Sequence, residues 1–284
     1  MKKLLSLLFI LLISSSCVDP FGLFIPYVDI NDRFQDSMKE TVPAFSLATN
    51  TNYTFLVISD IHNYDSVNSN FAKLDSKVIA TDQFIAATGD LAQSGSSKEF
   101  STYMSSTSSL SRPDLSTIPV YNTIGNHDLY WGNWNNALNA IGPSTYTLTN
   151  KPGLETETTR LIFLDSASGS LGSAQYNWLK NVLKNKTEDF CFVFTHYNFF
   201  CYYFFELQHY TDTEEIAALM YLFEKYNVTA VFNGHSHIYE SRSINGVQYI
   251  NASAFNDNGE SKKVIRASVN FSPNSFSFTQ INLD

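Results

Sequence analysis

Five short apolar runs in this chain each end at, or a few residues before, an Asp, Asn or His. Phe55-Leu56-Val57-Ile58 precedes Asp60 and His62, and Phe84-Ile85-Ala86-Ala87 precedes Gly89-Asp90. Ile118-Pro119-Val120-Tyr121 comes shortly before Gly125-Asn126-His127-Asp128. Phe190-Cys191-Phe192-Val193-Phe194 precedes His196, and Ala230-Val231-Phe232 precedes Gly234-His235-Ser236-His237. Continuous apolar runs of this length suit strands buried on both faces. Open α/β sheets gather their sites at the carboxyl ends of such strands. The pattern therefore predicts an α/β fold in which five strand ends deliver ligand-type side chains to one edge. Five of the six histidines take part; only His209 lies outside the blocks. Asp, Asn and His are ligands of hard and borderline divalent metals.

Taken singly, each block has a plainer reading. A strand-end Asp is commonly a turn residue or helix cap, and Asn126 suits a left-handed turn. Those readings would have to hold together at five places. His196 has the thinnest local signature and depends on the other four blocks.

Asp-x-His, Gly-Asp, Gly-Asn-His-Asp, a lone His and Gly-His-x-His, in this order from Asp60 to His237, resemble the calcineurin-like metallophosphoesterase superfamily. The resemblance implies a two-sheet β sandwich flanked by helices, a four-layer α/β/β/α arrangement. It implies two divalent ions (Mn, Fe, Ni or Zn) that hold a hydroxide and clamp a phosphoryl group. One ion would take Asp60, His62, Asp90 and His237. The other would take Asp90, Asn126, His196 and His235, with Asp90 as the bridge. His127 would protonate the leaving oxygen, and Asp128 would orient it.

Departures narrow the branch. Gly89-Asp90-Leu91-Ala92-Gln93-Ser94-Gly95 lacks the arginine of the protein Ser/Thr phosphatases and the tyrosine ligand of the purple acid phosphatases. Ala87 to Gln93 is most similar to the cyclic-nucleotide phosphodiesterase-type branch. Only 47 residues follow His237, too few for the extra domain of the 5′-nucleotidase branch. The expected substrate is a small phosphate mono- or diester, such as a nucleotide. A phospholipid or envelope glycolipid phosphodiester is the second enzymatic reading, and an inactive binding module the third.

Met1-Lys2-Lys3, the apolar Leu4 to Ile13 and Ser14-Ser15-Ser16-Cys17 read as a secretory signal over residues 1–16. Cys17 resembles a bacterial lipoprotein site; ordinary signal cleavage is the competing reading. Residues 17–50 are expected to be a lipidated terminus and tether, and 51–284 the catalytic domain. The expected location is the periplasmic or cell-surface side of a bacterial membrane. A net charge of −9 without a basic run argues against a nucleic-acid polymer as partner, and no protein partner is predicted. Cys191 and Cys201 could pair in an exported chain or remain free thiols.

Helices are predicted near 68–82, 97–109, 173–184 and 213–226. Asn245-Gly246 predicts a hairpin between 241–244 and 247–250, with two more strands near 263–270 and 275–283. The aromatic run Tyr197 to Phe205 is read either as a wall beside the site or as core. Tyr130, Trp131 and Trp134 are expected to border the cleft.

Overall fold

The computed structural model describes residues 28–45, 47, 52–66, 68–150, 158–200, 212–256 and 262–284. The proposed signal, Cys17, Cys201 and His209 lie outside these residues, as does the run from 201 to 205.

Two sheets form the centre. The first has five strands in the order β11 (Asn274–Asn282), β10 (Lys263–Phe271), β1 (Tyr53–Ile58), β2 (Asp82–Thr88) and β3 (Val120–Thr123). The second has six, in the order β4 (Tyr146–Asn150), β5 (Thr159–Phe163), β6 (Phe190–Phe194), β7 (Ala230–Asn233), β9 (Val247–Asn251) and β8 (Glu240–Ile244). Strands β1 to β3 run parallel, as do β5, β6, β7 and β9.

The period-2 alternation of a strand explains the four layers. Phe55 and Val57 of β1, and Phe190, Phe192 and Phe194 of β6, point into the space between the sheets. Leu56 and Ile58 point outward, to α2 (Asn70–Lys77), α3 (Ser97–Ser108) and α4 (Trp134–Ile141). Cys191 and Val193 point to α5 (Gly172–Lys184) and α6 (Thr213–Lys225). Strands covered on both faces have no polar side to show, which is why they read as unbroken apolar runs. The inter-sheet layer is rich in aromatic rings: Phe55 stacks on Phe84, and Phe163 on Phe194, both with centroids 4.7 Å apart.

The four expected helices and the Asn245-Gly246 hairpin are present. The first helix is shorter than expected and ends at Lys77, where Val78 turns extended (φ −62°, ψ 133°). The third strand begins at Val120, because Pro119 has no N–H for a ladder and offers only its carbonyl, to Ile85.

The tether expectation needs correction. Within 17–50, Ile30–Ser37 forms a helix, α1, capped by the Asp29 carboxylate on the Asn31 amide at 2.8 Å. It packs against α5. Its Arg33 is fully buried and donates to both carboxylate oxygens of Asp165, at 2.8 and 3.2 Å. Arg33 also reaches the Val28 carbonyl and the Ser168 hydroxyl. A charge is stable at such depth only when paired in this way.

Candidate metal centre

The five blocks meet at one edge because the loops after the strands bond to one another. The Asp60 amide donates to the Gly89 carbonyl at 3.1 Å, and the His62 amide to the Asp90 carbonyl at 2.8 Å. The Gly234 amide donates to the His196 carbonyl at 2.9 Å. The two sheets are then joined across the gap. Nδ1–H of His196 donates to the Thr88 carbonyl at 2.9 Å, and the His235 amide donates to Asp60.

The ligand-type atoms fall into groups that share Asp90. Nε2 of His62 lies 3.1 Å from Nε2 of His237, which is 3.4 Å from Oδ1 of Asp60. Nε2 of His196 lies 3.1 Å from Nδ1 of His235 and 3.2 Å from Oδ1 of Asn126. Oδ2 of Asp90 faces both groups, 3.7 Å from His62 Nε2 and 3.4 Å from His196 Nε2. All seven expected ligands are thus brought together.

This arrangement suits a cation. With Nδ1 of His196 committed to Thr88, its Nε2 is the atom that would offer a lone pair to a cation once its proton leaves, and it stands among three electron-rich atoms: Asn126 Oδ1, His235 Nδ1 and Asp90 Oδ2. Ligands about 2.1 Å from one ion lie roughly 3–3.5 Å apart, the spacing found here. The electrostatics agree. Burial opposes charge on His196, yet Asp90 and Asp60 lift its pKa to about 9. Burial would raise Asp90, but His196, His127 and His62 hold it well below the usual carboxylate range. Burial and His196 together push His235 down to about 3, keeping it neutral. A cation would relieve the same concentration of lone pairs. The donor set contains nitrogen and oxygen without cysteine, which fits first-row divalent metals.

The backbone is strained here. Asp60, His62, Asp90, His235 and His237 all take left-handed φ, from 44° to 70°. Such conformations cost non-glycine residues roughly 1–2 kcal/mol each and recur at functional sites, where surrounding structure enforces them. Two glycines are required by proximity. A methyl group on Gly125 would lie 2.2 Å from Asp90 Oδ1, and one on Gly234 would lie 1.8 Å from Ser59 Oγ.

His127 stands beside the centre, its ring 4.5 Å from that of His62. Its amide donates to Asp90 Oδ1 at 2.9 Å, and its Nδ1 meets the Gln93 carbonyl at 2.8 Å. Asp128 does not orient this ring, contrary to expectation. Its buried carboxylate accepts the amides of Leu91, Ala92 and Gly125, at 3.2, 2.8 and 2.9 Å. Asp128 ties the Gly89-Asp90 loop to the Gly125 loop, while the Gln93 carbonyl holds the imidazole.

Trp134 also departs from expectation: it is buried at the start of α4 and donates to Asp36. Trp131 is 65% exposed. Tyr130 does reach the site, with its hydroxyl 3.2 Å from His127 Nε2. The aromatic run divides. Tyr197 stacks on His235 with centroids 4.0 Å apart, while Phe199 is buried against Phe223 and Tyr249.

Several supporting residues went unread in the sequence. Ser166 Oγ accepts the amides of His196 and Tyr197, at 3.1 and 2.9 Å. Asn251 donates to Ser236 Oγ at 2.7 Å and to the Ile238 carbonyl at 2.6 Å, bracing the Gly-His-Ser-His turn. Asn251 ends Val247-Gln248-Tyr249-Ile250, a mostly apolar strand closed by a polar residue, and that signal was available.

A mixed α/β sandwich with His, Asp and Asn converging at its strand ends defines a protein with a candidate metal centre at a shared sheet edge. The calcineurin-like phosphoesterase family pattern matches residues 53–239, and the chain belongs to that family. Members of this family use divalent metals, and these residues are the candidates to bind them. No curated protein sequence matches the chain. Among solved structures it is similar to GAP50, the anchor in the inner membrane complex of Plasmodium. That match has 15% identity and a TM-score of 0.63, and covers 82% of this chain and 85% of the other. It is also similar to a dimetal phosphatase from Danio rerio, at 14% identity and a TM-score of 0.52, covering 82% of this chain and 99% of the other. At these identities the likeness is one of fold.

Proposed function

We propose that this protein hydrolyses a small phosphate mono- or diester, such as a nucleotide, at a centre of two divalent metal ions. The observation that carries the reading is Oδ2 of Asp90, which faces a histidine of each ligand group. Asp60, His62, Asp90 and His237 would hold one ion; Asp90, Asn126, His196 and His235 would hold the other. When bound, such a pair supplies positive charge at the phosphoryl oxygens and an activated water. The chain's own part is orientation and proton transfer. Thr88 and Ser166 hold His196, and Asn251 holds the turn bearing His235 and His237. His127, with Nδ1 on the Gln93 carbonyl, has Nε2 left to protonate the departing oxygen.

A lipid phosphodiester is the second reading. Large apolar side chains close in sequence to the ligands are exposed: Tyr64, Tyr130, Trp131 and Ile238. They would suit an ester with an apolar substituent. The signal-like residues 1–16 and Cys17 support export and a lipid anchor beside such a substrate. A binding module without activity would need no ligand set, and all seven ligands are present.

The test uses the chain from residue 18 onward. Bound metal is quantified, and bis-p-nitrophenyl phosphate, p-nitrophenyl phosphate and a micellar phospholipid are assayed with Mn²⁺. We expect about two metals per chain. His127→Ala should lower turnover by roughly 10²-fold or more, and Asp90→Asn should lower both metal content and turnover. Absence of metal and of turnover under every loading condition would leave the binding-module reading.

A further inference from the structure

The segment after the Gly-Asn-His-Asp block is folded back on it. Residues His127–Gly132 form a 3-10 turn that breaks at Tyr130 (φ −54°, ψ 142°) and Trp131 (φ 61°, ψ 22°). The break lays the Tyr130 ring beside that of His127, with centroids 4.4 Å apart and planes 36° apart. Its hydroxyl then lies 3.2 Å from His127 Nε2 and 3.4 Å from Asn126 Nδ2. One oxygen thus touches the two neighbouring side chains that face the centre.

Both contacts have directional consequences. The Asn126 amide N–H donates to the Tyr130 hydroxyl, which turns the Asn126 carbonyl oxygen towards His196. A flipped amide would present N–H groups there, and these cannot bind a cation. At His127 the Gln93 carbonyl takes Nδ1–H, so Nε2 is the nitrogen left to act. The Tyr130 hydroxyl accepts from Nε2–H when the ring is charged and donates to Nε2 when it is neutral. The ring can therefore keep one orientation through both states.

We propose that Tyr130 is a positioning residue that holds the His127 ring through Nε2 until a leaving oxygen takes that place, and that fixes the Asn126 amide with its oxygen inward. The proposal rests on the reading of His127 as the proton donor. In the step it serves, a water oxygen bonds to phosphorus and the bond from phosphorus to the leaving oxygen breaks. The leaving oxygen keeps that electron pair and takes the proton from His127 Nε2. The Tyr130 O–H then turns to the Nε2 lone pair, and the proton lost by water restores the imidazolium.

Tyr130→Phe keeps the ring and removes only the hydroxyl. The side chain is 42% exposed, so the fold should be retained. The variant is compared with His127→Ala on a p-nitrophenyl diester and on an alkyl diester, whose leaving group needs the proton far more. Tyr130→Phe should lower kcat on the alkyl ester about ten- to a hundredfold with KM nearly unchanged, and much less on the p-nitrophenyl ester. His127→Ala should show the same selectivity, more strongly. A second readout uses metal-free protein: ¹H–¹⁵N correlation of the imidazoles should show the His127 Nε2 resonance shifted in Tyr130→Phe. If, at full metal content, His127→Ala is selective while Tyr130→Phe slows both esters equally or leaves the Nε2 resonance unmoved, the role of Tyr130 towards His127 is wrong and that of His127 stands; unchanged Mn²⁺ affinity in Tyr130→Phe would remove its role at Asn126. If His127→Ala is itself unselective, the proton-donor reading falls and the proposal with it.

Discussion

The backbone amide of His235 donates to both carboxylate oxygens of Asp60, each at 3.0 Å, across 175 residues of sequence. A residue of one candidate ligand group thereby holds a residue of the other. The bond also spans the two sheets, since Asp60 follows β1 and His235 follows β7. The two groups should respond together when this contact is changed.

Asp60→Ala removes a ligand and frees the His235 loop, so metal content should fall for both groups, with turnover reduced more than ~100-fold. Asp60→Asn retains an acceptor for the His235 amide and should lose less metal. Metal analysis of the two purified variants decides it; equal losses would mean the amide contact is unimportant.

Gly125→Ala places a methyl group 2.2 Å from Asp90 Oδ1 and 2.7 Å from His196 Nε2. It also meets the Asp90 backbone nitrogen, so the Gly89-Asp90 loop must shift, and the damage should centre on Asp90 and His196. We expect an intact far-ultraviolet circular dichroism spectrum with loss of bound Mn²⁺. A variant with full metal content would show that the loop yields instead.

Arg33→Met leaves the Asp165 carboxylate buried without its partner. Breaking such a pair costs about 3–5 kcal/mol, and Arg33→Met with Asp165→Leu should recover part of it. Urea unfolding of the three variants measures this. A chain beginning at residue 51 should meet a similar penalty, because it lacks α1.

Metal binding should release a proton. In the metal-free protein His196 is lifted from an ordinary value of 6.5 to about 9, against burial, chiefly by Asp90. Its bound proton therefore stabilises the metal-free fold fully below about pH 6.5, and this contribution is lost as pH rises through about 9. A metal needs Nε2 deprotonated, so Mn²⁺ affinity should rise with pH over that interval. Calorimetric titration near neutral pH in buffers of different ionisation enthalpy should report a released proton; a heat independent of buffer would contradict it.

The residues whose convergence the sequence foretold were those that stand just past an apolar strand. Asp60, His62, Asp90, Asn126, His196, His235 and His237 each follow an apolar strand, and strand ends are set by local pattern. Asp128 and Trp134 were misassigned because adjacency in sequence was taken for adjacency of function. After the 3-10 turn begins, the Asp128 carboxylate points back at the amides of Leu91, Ala92 and Gly125, away from the His127 ring. Trp134 opens a helix whose apolar face turns to the core. α1 was missed because its burial rests on Asp165, 132 residues away.

By itself the sequence determined the layered α/β fold, the family and the set of Asp, Asn and His side chains that converge at the strand ends. Strand periodicity and polar strand ends are short-range properties of a chain, and a fold buried on both faces of its sheets leaves them plain to read. Tertiary structure alone decided that Asp90 Oδ2 faces both ligand groups, that Gln93 rather than Asp128 steadies His127, and that Tyr130 lies over Asn126 and His127. Those relationships depend on left-handed backbone at five of the candidate ligands and on contacts between loops far apart in the chain. Local propensity opposes the first and carries no information about the second.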